Sequence, residues 1–235
     1  MGFARHWLKA QGARNAIFIW VPKTAGMSIF HTLKPHGCYR IKSPSGVRWT
    51  FPGRGFVTFK RQDYGELLRE GYVSSEFDAS AYKFGFVRNP YDRAVSLYFF
   101  LRKKSYFPPD VSFLDFWRQI DANPPQSVGA HKLVGLGITA PQMHWLRGFE
   151  THRLGRFERL NESFAEILSD LGLPPADLPW RNPTSHKHFS DYYCDESKAI
   201  IDRRFAEDFD ELDYGRELPQ PAAASTAMRE SLPAA

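Results

Sequence analysis

Ala16-Ile-Phe-Ile-Trp-Val-Pro-Lys-Thr-Ala-Gly-Met-Ser28 is the stretch of sequence that decides the fold. Its first six residues, 16–21, form a continuous apolar run without period-two alternation. Such a run is typical of a strand that is covered on both faces in a parallel sheet. A loop at 22–26 follows directly, and the sequence from Met27 to Leu33 predicts a helix. The stretch therefore predicts a strand–loop–helix unit.

A second unit of the same kind lies further along the chain. Tyr82-Lys-Phe-Gly-Phe-Val87 predicts another buried strand, and Arg88-Asn89 predicts the turn that follows it. Pro90 suits the first helical position because its φ is already fixed and it has no N–H group to leave unpaired. Strands that alternate with helices predict an α/β fold with a parallel sheet.

Shorter patterns predict further elements. Residues 55–59 predict a strand, and Asp63 is expected to cap a helix that ends at Gly71. Asn161 and Asp195 are expected to cap two later helices, because both precede helical stretches.

The bulk composition limits the class of protein. The chain has 235 residues, which fits one domain, and we place that domain at residues 1–216. The formal charge of +5 fits an anionic ligand, and we expect no nucleic-acid partner. Residues 217–235, rich in Ala, Pro and Ser, are expected to form a mobile tail. Two cysteines suggest free thiols in a reducing compartment. No secretory signal and no apolar run of ~20 residues occurs, so we expect a cytoplasmic protein without a transmembrane segment.

The loop after the first strand has the residue types of a phosphate site. A helix N-terminus offers unpaired N–H groups, and Ala25 and Gly26 allow the backbone to approach a ligand closely. Lys23 can place an ammonium group against an anion, while Thr24 and Ser28 can donate from their hydroxyls. The pattern is not Walker A, because the lysine precedes the glycine. An ordinary strand-to-helix turn is the alternative.

Arginines mark the second unit. Arg88 leaves the end of a buried strand, where ligands meet open α/β sheets, and can grip a phosphate with two N–H groups. Ser96 lies two helical turns further on and could fall on the same side. Arg93 could pair with Asp92 or Glu162, or face the ligand. The alternative is that both arginines form structural salt bridges.

Together the two motifs resemble those of sulfotransferases that use 3′-phosphoadenosine 5′-phosphosulfate (PAPS). Pro22-Lys-Thr-Ala-Gly-Met-Ser28 is similar to their loop for the 5′-phosphosulfate, and Phe86-Val-Arg-Asn-Pro-Tyr-Asp-Arg-Ala-Val-Ser96 to their strand and helix for the 3′-phosphate. The kin that the motifs most resemble are the heparan 2-O and chondroitin carbohydrate sulfotransferases and their bacterial relatives. The resemblance implies a P-loop-like three-layer domain with a central parallel sheet. It also implies transfer of the sulfuryl group from PAPS to a hydroxyl, in this family that of a carbohydrate, by in-line displacement without a metal.

The resemblance implies roles for individual residues. Lys23 would contact the 5′-phosphosulfate and support the departure of the phosphate, which makes it a catalytic residue. Lys187 would contribute to the same nucleotide site, and a solvated lysine on a polar loop is the alternative. The donor-binding residues that the resemblance implies are Pro22, Lys23, Thr24, Ala25, Gly26, Met27, Ser28, Arg88, Ser96 and Lys187.

The general base is where the sequence departs from these relatives. Arg61 stands where they often carry a histidine, and a guanidinium cannot accept a proton at neutral pH. Asp63 and Glu66 are candidate bases, with a helix cap and a solvated face as their alternatives. Further candidates are His31, Glu76 and Asp78. This departure leaves open the alternative that the protein is a nucleotide-binding module that does not catalyse the transfer. An ATP-using kinase is disfavoured by the absent Walker A pattern.

Overall fold

Five parallel strands form the centre of the fold, and their order follows from the chain connections. The computed structural model describes residues 14–42, 54–59, 62–122, 137–179 and 187–219. The strands are β1 (Ala16–Ile19), β2 (Tyr39–Ile41), β3 (Phe56–Phe59), β4 (Tyr82–Val87) and β5 (Arg153–Arg156). They are ordered β2-β3-β1-β4-β5, and every neighbouring pair is parallel.

Helices connect these strands and cover both faces of the sheet. They are α1 (Gly26–Leu33), α2 (Tyr64–Arg69), α3 (Ser75–Ser80), α4 (Pro90–Lys103), α5 (Phe113–Ala122), α6 (Leu160–Asp170), α7 (Asp195–Arg204) and α8 (Ala206–Glu211). Short 3₁₀ helices lie at Lys34–His36, Met143–Trp145, Phe157–Arg159 and Phe189–Tyr192. The predicted α/β fold with a central parallel sheet and flanking helices is confirmed.

Alternating side chains of β1 divide the core into two layers. Ile17 and Ile19 point into a cluster that includes residues of α2 and α3. Phe18 points the opposite way, into a cluster with residues of α1 and α6. Because successive side chains of a strand face opposite sides, an unbroken apolar run is what a strand buried on both faces requires. This is why β1 was recognisable from sequence.

The strand order reverses direction at β1, and this places the ligand-binding edge. From β1 the chain builds β2 and β3 on one side, and later builds β4 and β5 on the other. β1 and β4 are paired with Ile19 opposite Gly85. Open parallel sheets bind ligands in the crevice outside the carboxyl ends of the strands at such a reversal. Here the loops after β1 and β4 border that crevice.

Several predicted boundaries hold and others shift. Asp63 caps α2, its side chain accepting the backbone N–H of Glu66, and Gly71 follows the helix with a φ of 71°. β1 ends at Ile19 rather than at residue 21, and α1 begins one residue earlier than predicted.

Two predicted caps are wrong. Asn161 lies inside the first turn of α6, because the preceding 3₁₀ turn, Phe157–Arg159, runs directly into the helix. Asp195 is the first residue of α7, and Cys194 caps that helix together with Ser197. Relative to the predicted cap position, Asn161 therefore lies two positions later in its helix and Asp195 lies one position later.

The described part of the chain ends at residue 219. Residues 220–235, most of the predicted tail, lie outside the described residues, and Leu218 still packs against the cluster formed by α4, α5, α7 and α8. Within the described ranges, no helix combines the length and apolar character that crossing a bilayer requires.

Candidate functional site

The loops after β1 and β4 are in direct contact at the crevice. Nη1 of Arg88 donates to the carbonyl oxygen of Lys23 at 3.3 Å. Nε of Arg93 donates to the carbonyl oxygen of Pro22 at 3.1 Å. Both arginines come from the second motif and both carbonyls from the first. The two sequence motifs thus meet in one site, although about 65 residues separate them in the chain.

The first loop has an unusual backbone. Lys23 and Ala25 both have positive φ values, 74° and 62°. Left-handed backbone is uncommon for residues that carry a Cβ, so the surrounding contacts must hold this loop in place. The Thr24 side chain is fully buried, and its hydroxyl donates to the carbonyl of Val21 at 2.9 Å. That hydroxyl hydrogen is therefore used inside the protein, which leaves the backbone N–H of Thr24 as its donor for a ligand.

Helix α1 begins at this loop without a side-chain cap. Its N-cap residue is Ala25, and its first turn carries no acidic side chain. In contrast, Asp63, Ser74 and Asn89 cap the helices α2, α3 and α4. An uncapped helix start leaves N–H groups and partial positive charge for an anion. The start of α1 therefore has the local character of a phosphate site.

Lys23 contacts the helix of the second motif, and the two candidate serines are buried. The ammonium nitrogen of Lys23 lies 4.3 Å from the centre of the Phe100 ring on α4, an attractive cation–π distance. Ser28 on α1 and Ser96 on α4 are buried, with 6% and 3% of their surface exposed. The ammonium group is thus directed toward the helix that carries the second motif.

Arg88 is held by three kinds of contact. Its Nε and Nη2 donate to the two carboxylate oxygens of Asp92 at 2.8 and 2.7 Å, and its guanidinium lies 3.9 Å from the Phe157 ring centre. The side-chain amide of Gln142 pairs with both the N–H and the carbonyl of the Arg88 backbone, each at 2.8 Å. Three of its five N–H groups have protein partners, including the Lys23 carbonyl. Arg88 therefore forms a salt bridge, which was the alternative to phosphate binding. Its two other N–H groups could still donate to a phosphate.

Arg93 does not pair with Asp92 or Glu162. It is fully buried, its Nη1 lies 3.9 Å from Oδ2 of Asp208 in α8, and its Nη2 donates to the carbonyls of Ile138 and Ala140. Burial lowers the pKa of Arg93 to about 10, and the Asp208 carboxylate opposes that shift. The guanidinium is thus charged at neutral pH and has a structural role, because it joins α4 and α8 to the first loop.

The remaining predicted residues do not gather at one point. Lys187 is exposed, and its backbone N–H donates to the hydroxyl of Tyr192 at 3.1 Å. Glu66 is half-buried in the first turn of α2. Asp63 caps that helix, as its alternative predicted. Arg61, at the expected position of the base, lies outside the described residues.

Three functional candidates were missed by sequence reasoning. Gln142 holds the Arg88 backbone, and Asp208 accepts the backbone N–H groups of Gln142 and Met143 at 2.8 and 2.9 Å. Nε2 of His144 lies 3.5 Å from Oδ2 of Asp63. These contacts join residues 54 to 81 positions apart, and no local pattern marks them.

A narrow cleft opens at the carboxyl ends of β1 and β3. It is lined by Phe18, Ile19, Trp20, Phe59, Gln62, Tyr64 and Trp145, and it is too narrow to hold a water molecule. Small-molecule sites are far larger, so this cleft is not itself a ligand pocket.

Neither a metal-binding cluster nor a similar known protein was found. Across 14–42, 54–59, 62–122, 137–179 and 187–219, no three His, Cys, Asp or Glu side chains form a group that could hold a metal ion. No protein-family model matches the chain, and no curated protein or solved structure matches it either.

Proposed function

We propose that this protein is a sulfotransferase that moves the sulfuryl group of PAPS to a hydroxyl, in a carbohydrate acceptor. The observation that carries the proposal is the contact between the two motif loops, in which Arg88 donates to the carbonyl of Lys23. The resemblance of each loop to a PAPS-binding motif is short. Their meeting at the reversal of strand order is what a single ligand with two anionic ends would need.

The 5′ end of the donor fits the first loop. The uncapped start of α1 offers backbone N–H groups, and Lys23 offers an ammonium group. During transfer, negative charge builds on the oxygen that bridges sulfur and phosphorus. Donors placed in advance favour that charge more strongly than they favour the ground state, which lowers the barrier.

The 3′ end fits the second motif. Arg88 keeps N–H groups beyond those that Asp92 and the Lys23 carbonyl use. Asp92 offsets part of its charge, so binding of the 3′-phosphate depends on directed hydrogen bonds as much as on net charge. The Ser96 hydroxyl, on helix α4, would be a second donor for that phosphate.

The reaction balances without a covalent enzyme intermediate. The acceptor oxygen forms a bond to sulfur while the bond from sulfur to the bridging oxygen breaks. The electron pair leaves with 3′-phosphoadenosine 5′-phosphate (PAP), and the proton of the acceptor hydroxyl goes to a general base. The role of the protein is to align donor and acceptor and to stabilise the leaving phosphate.

We further propose the cytoplasm as the site of the reaction. Both cysteines are free thiols, and Cys194 is exposed. An exposed thiol persists most readily in a reducing compartment.

Transfer of radioactive sulfur from PAPS tests the proposal. We expect the protein to label N-acetylheparosan or chondroitin, and Lys23→Met to lower kcat by about 100- to 1,000-fold, as loss of a charge-stabilising donor does. Lys104→Ala, which removes an exposed cation at the end of α4, is the matched control and should keep full activity. Transfer of a phosphoryl group from ATP, without transfer of sulfur from PAPS, would indicate a kinase. Binding of PAPS with no transfer would indicate a nucleotide-binding module.

A further inference from the structure

An aspartate and a histidine face each other beside the donor loops. Nε2 of His144 lies 3.5 Å from Oδ2 of Asp63, and the two side chains are 18% and 16% exposed. The other carboxylate oxygen of Asp63 accepts the backbone N–H of Glu66 at 3.0 Å. Because this bond caps α2, the helix itself fixes the carboxylate that faces the imidazole.

The connections of His144 place it at the ligand-binding edge of the sheet. Two residues before it, Gln142 is bonded to the backbone of Arg88, directly after β4. On its other side, His144 faces Asp63, shortly after the end of β3. β1 lies between β3 and β4 in the sheet, and its loop carries Lys23. The segment from Gln142 to His144 therefore contacts the chain after β4 and the chain after β3, on either side of the loop that carries Lys23.

The two ring nitrogens of His144 have different surroundings. Nε2 is buried, has no hydrogen-bond partner, and faces the carboxylate. A proton on Nε2 would be directed toward Asp63, and this tautomer presents the lone pair of Nδ1. In the part of the chain that the structure describes, Nδ1 has no hydrogen-bond partner. A neutral imidazole with one N–H directed at a carboxylate is the usual arrangement of a histidine base.

Two charged groups near His144 in the chain or the fold have other partners. Asp208 accepts the backbone N–H groups of the two preceding residues and faces the guanidinium of Arg93. Arg147, beyond the 3₁₀ turn, forms an ion pair with Glu207. Within the described ranges, Asp63 is the charged side chain that contacts the imidazole.

We infer that His144 is the general base of the transfer and that Asp63 is its positioning residue. The inference rests on the proposed function. The proton of the acceptor hydroxyl moves to Nδ1 as the oxygen–sulfur bond forms, and solvent later takes that proton. The expectation that Asp63 itself could be the base is replaced, because one of its oxygens caps α2 and the other faces His144.

Two variants test the inference with little effect on the fold. His144→Gln removes the base, and we expect kcat to fall by about 100- to 10,000-fold with PAP binding unchanged. The acid limb of the pH–rate profile, which reports loss of neutral imidazole, should disappear. His36→Gln, in the 3₁₀ turn after α1, is the matched control and should keep the wild-type profile.

Asp63→Asn tests the positioning role, because asparagine caps helices as well as aspartate does. We expect the melting temperature to stay unchanged, kcat to fall, and KM for PAPS to stay the same. A pair that is only structural would instead change the melting temperature and leave kcat as it is.

The possible outcomes separate the inference from the proposed function. Wild-type protein that does not bind PAP overturns the proposed function. Wild-type protein that transfers sulfate, with His144→Gln transferring at the same rate and with the same pH profile, overturns the inference alone. Wild-type protein that binds PAP but neither labels N-acetylheparosan or chondroitin nor hydrolyses PAPS overturns the catalytic role of His144 and leaves the donor site standing.

Discussion

At residue 26 the loop has room for glycine alone. A Cβ atom there would fall within the van der Waals radius of the Trp20 indole, which is buried over the start of α1. Trp20 belongs to the apolar run from which the first strand was predicted. The close approach of this ring to the backbone is one reason that the loop can take its left-handed turns and keep them.

Replacing Gly26 by alanine should therefore destabilise the protein. We expect a loss of about 1–3 kcal/mol in the free energy of unfolding, because the buried indole must move to make room. Urea denaturation measures this value. Gly215→Ala is the matched control, since a Cβ there meets nothing and the backbone is unstrained. Equal stability of the two variants would show that the ring does not restrict the loop.

The sequence singled out residues of the two loops at the crevice, but not the residues that contact those loops. Lys23, Arg88 and the Asp63 cap were readable because each follows a strand or precedes a helix at short range. His144 and Asp208 carry no such local signal. They reach the site through contacts across the fold, and only the folded structure brings them there.

At the scale of elements, burial decides which strands could be predicted. β1, β3 and β4 are buried along their whole length and read as apolar runs. β2 and β5 lie at the edges of the sheet and are partly exposed, so their sequences Tyr-Arg-Ile and Arg-Leu-Gly-Arg give no such signal. The two wrong caps depended on a 3₁₀ turn and on a cysteine cap, neither of which follows common capping rules.

Asp170 is one of the side chains that attach helix α6 to the sheet. Oδ2 of Asp170, at the end of α6, accepts from the hydroxyl of Tyr82 in β4 and from Nε of Arg153 in β5, each at 2.5 Å. These hydrogen bonds, that of Tyr82 first, hold the pKa of Asp170 below its usual value. The carboxylate is ionised at neutral pH and stabilises the fold in that form.

The contribution of Asp170 should be lost in acid. A carboxyl whose pKa is lower in the folded state stabilises the protein above its unfolded pKa and stops doing so as the pH falls. We expect the stability advantage of wild type over Asp170→Asn to shrink between about pH 5 and pH 3. Thermal melts across this range measure it. The melting temperature of Asp110→Asn, at an exposed position, should change with pH as that of wild type does. If the melting temperature of Asp170→Asn also changes as that of wild type does, the Asp170 carboxylate does not contribute to stability.

At the scale of the whole molecule, one connection rule organises the site. The reversal of strand order at β1 brings the loops after β1 and β4 to a single crevice. Every step of the proposed reaction then takes place at one edge of the sheet. In that proposal the Lys23 loop would hold the leaving group, Arg88 would hold the far phosphate, and the Asp63–His144 pair would face the acceptor.

The proposed function requires this crevice to recognise a nucleotide by its 3′-phosphate. Calorimetric titration with PAP and with AMP, which lacks that phosphate, measures this preference. We predict that PAP binds about 10- to 100-fold more tightly than AMP, the range expected for added hydrogen bonds to a charged group. Arg88→Lys, which keeps the charge but loses the planar fork, should abolish most of this preference. Arg102→Lys, at an exposed position near the end of α4, should keep it. Equal affinity of the wild-type protein for PAP and AMP would contradict the account.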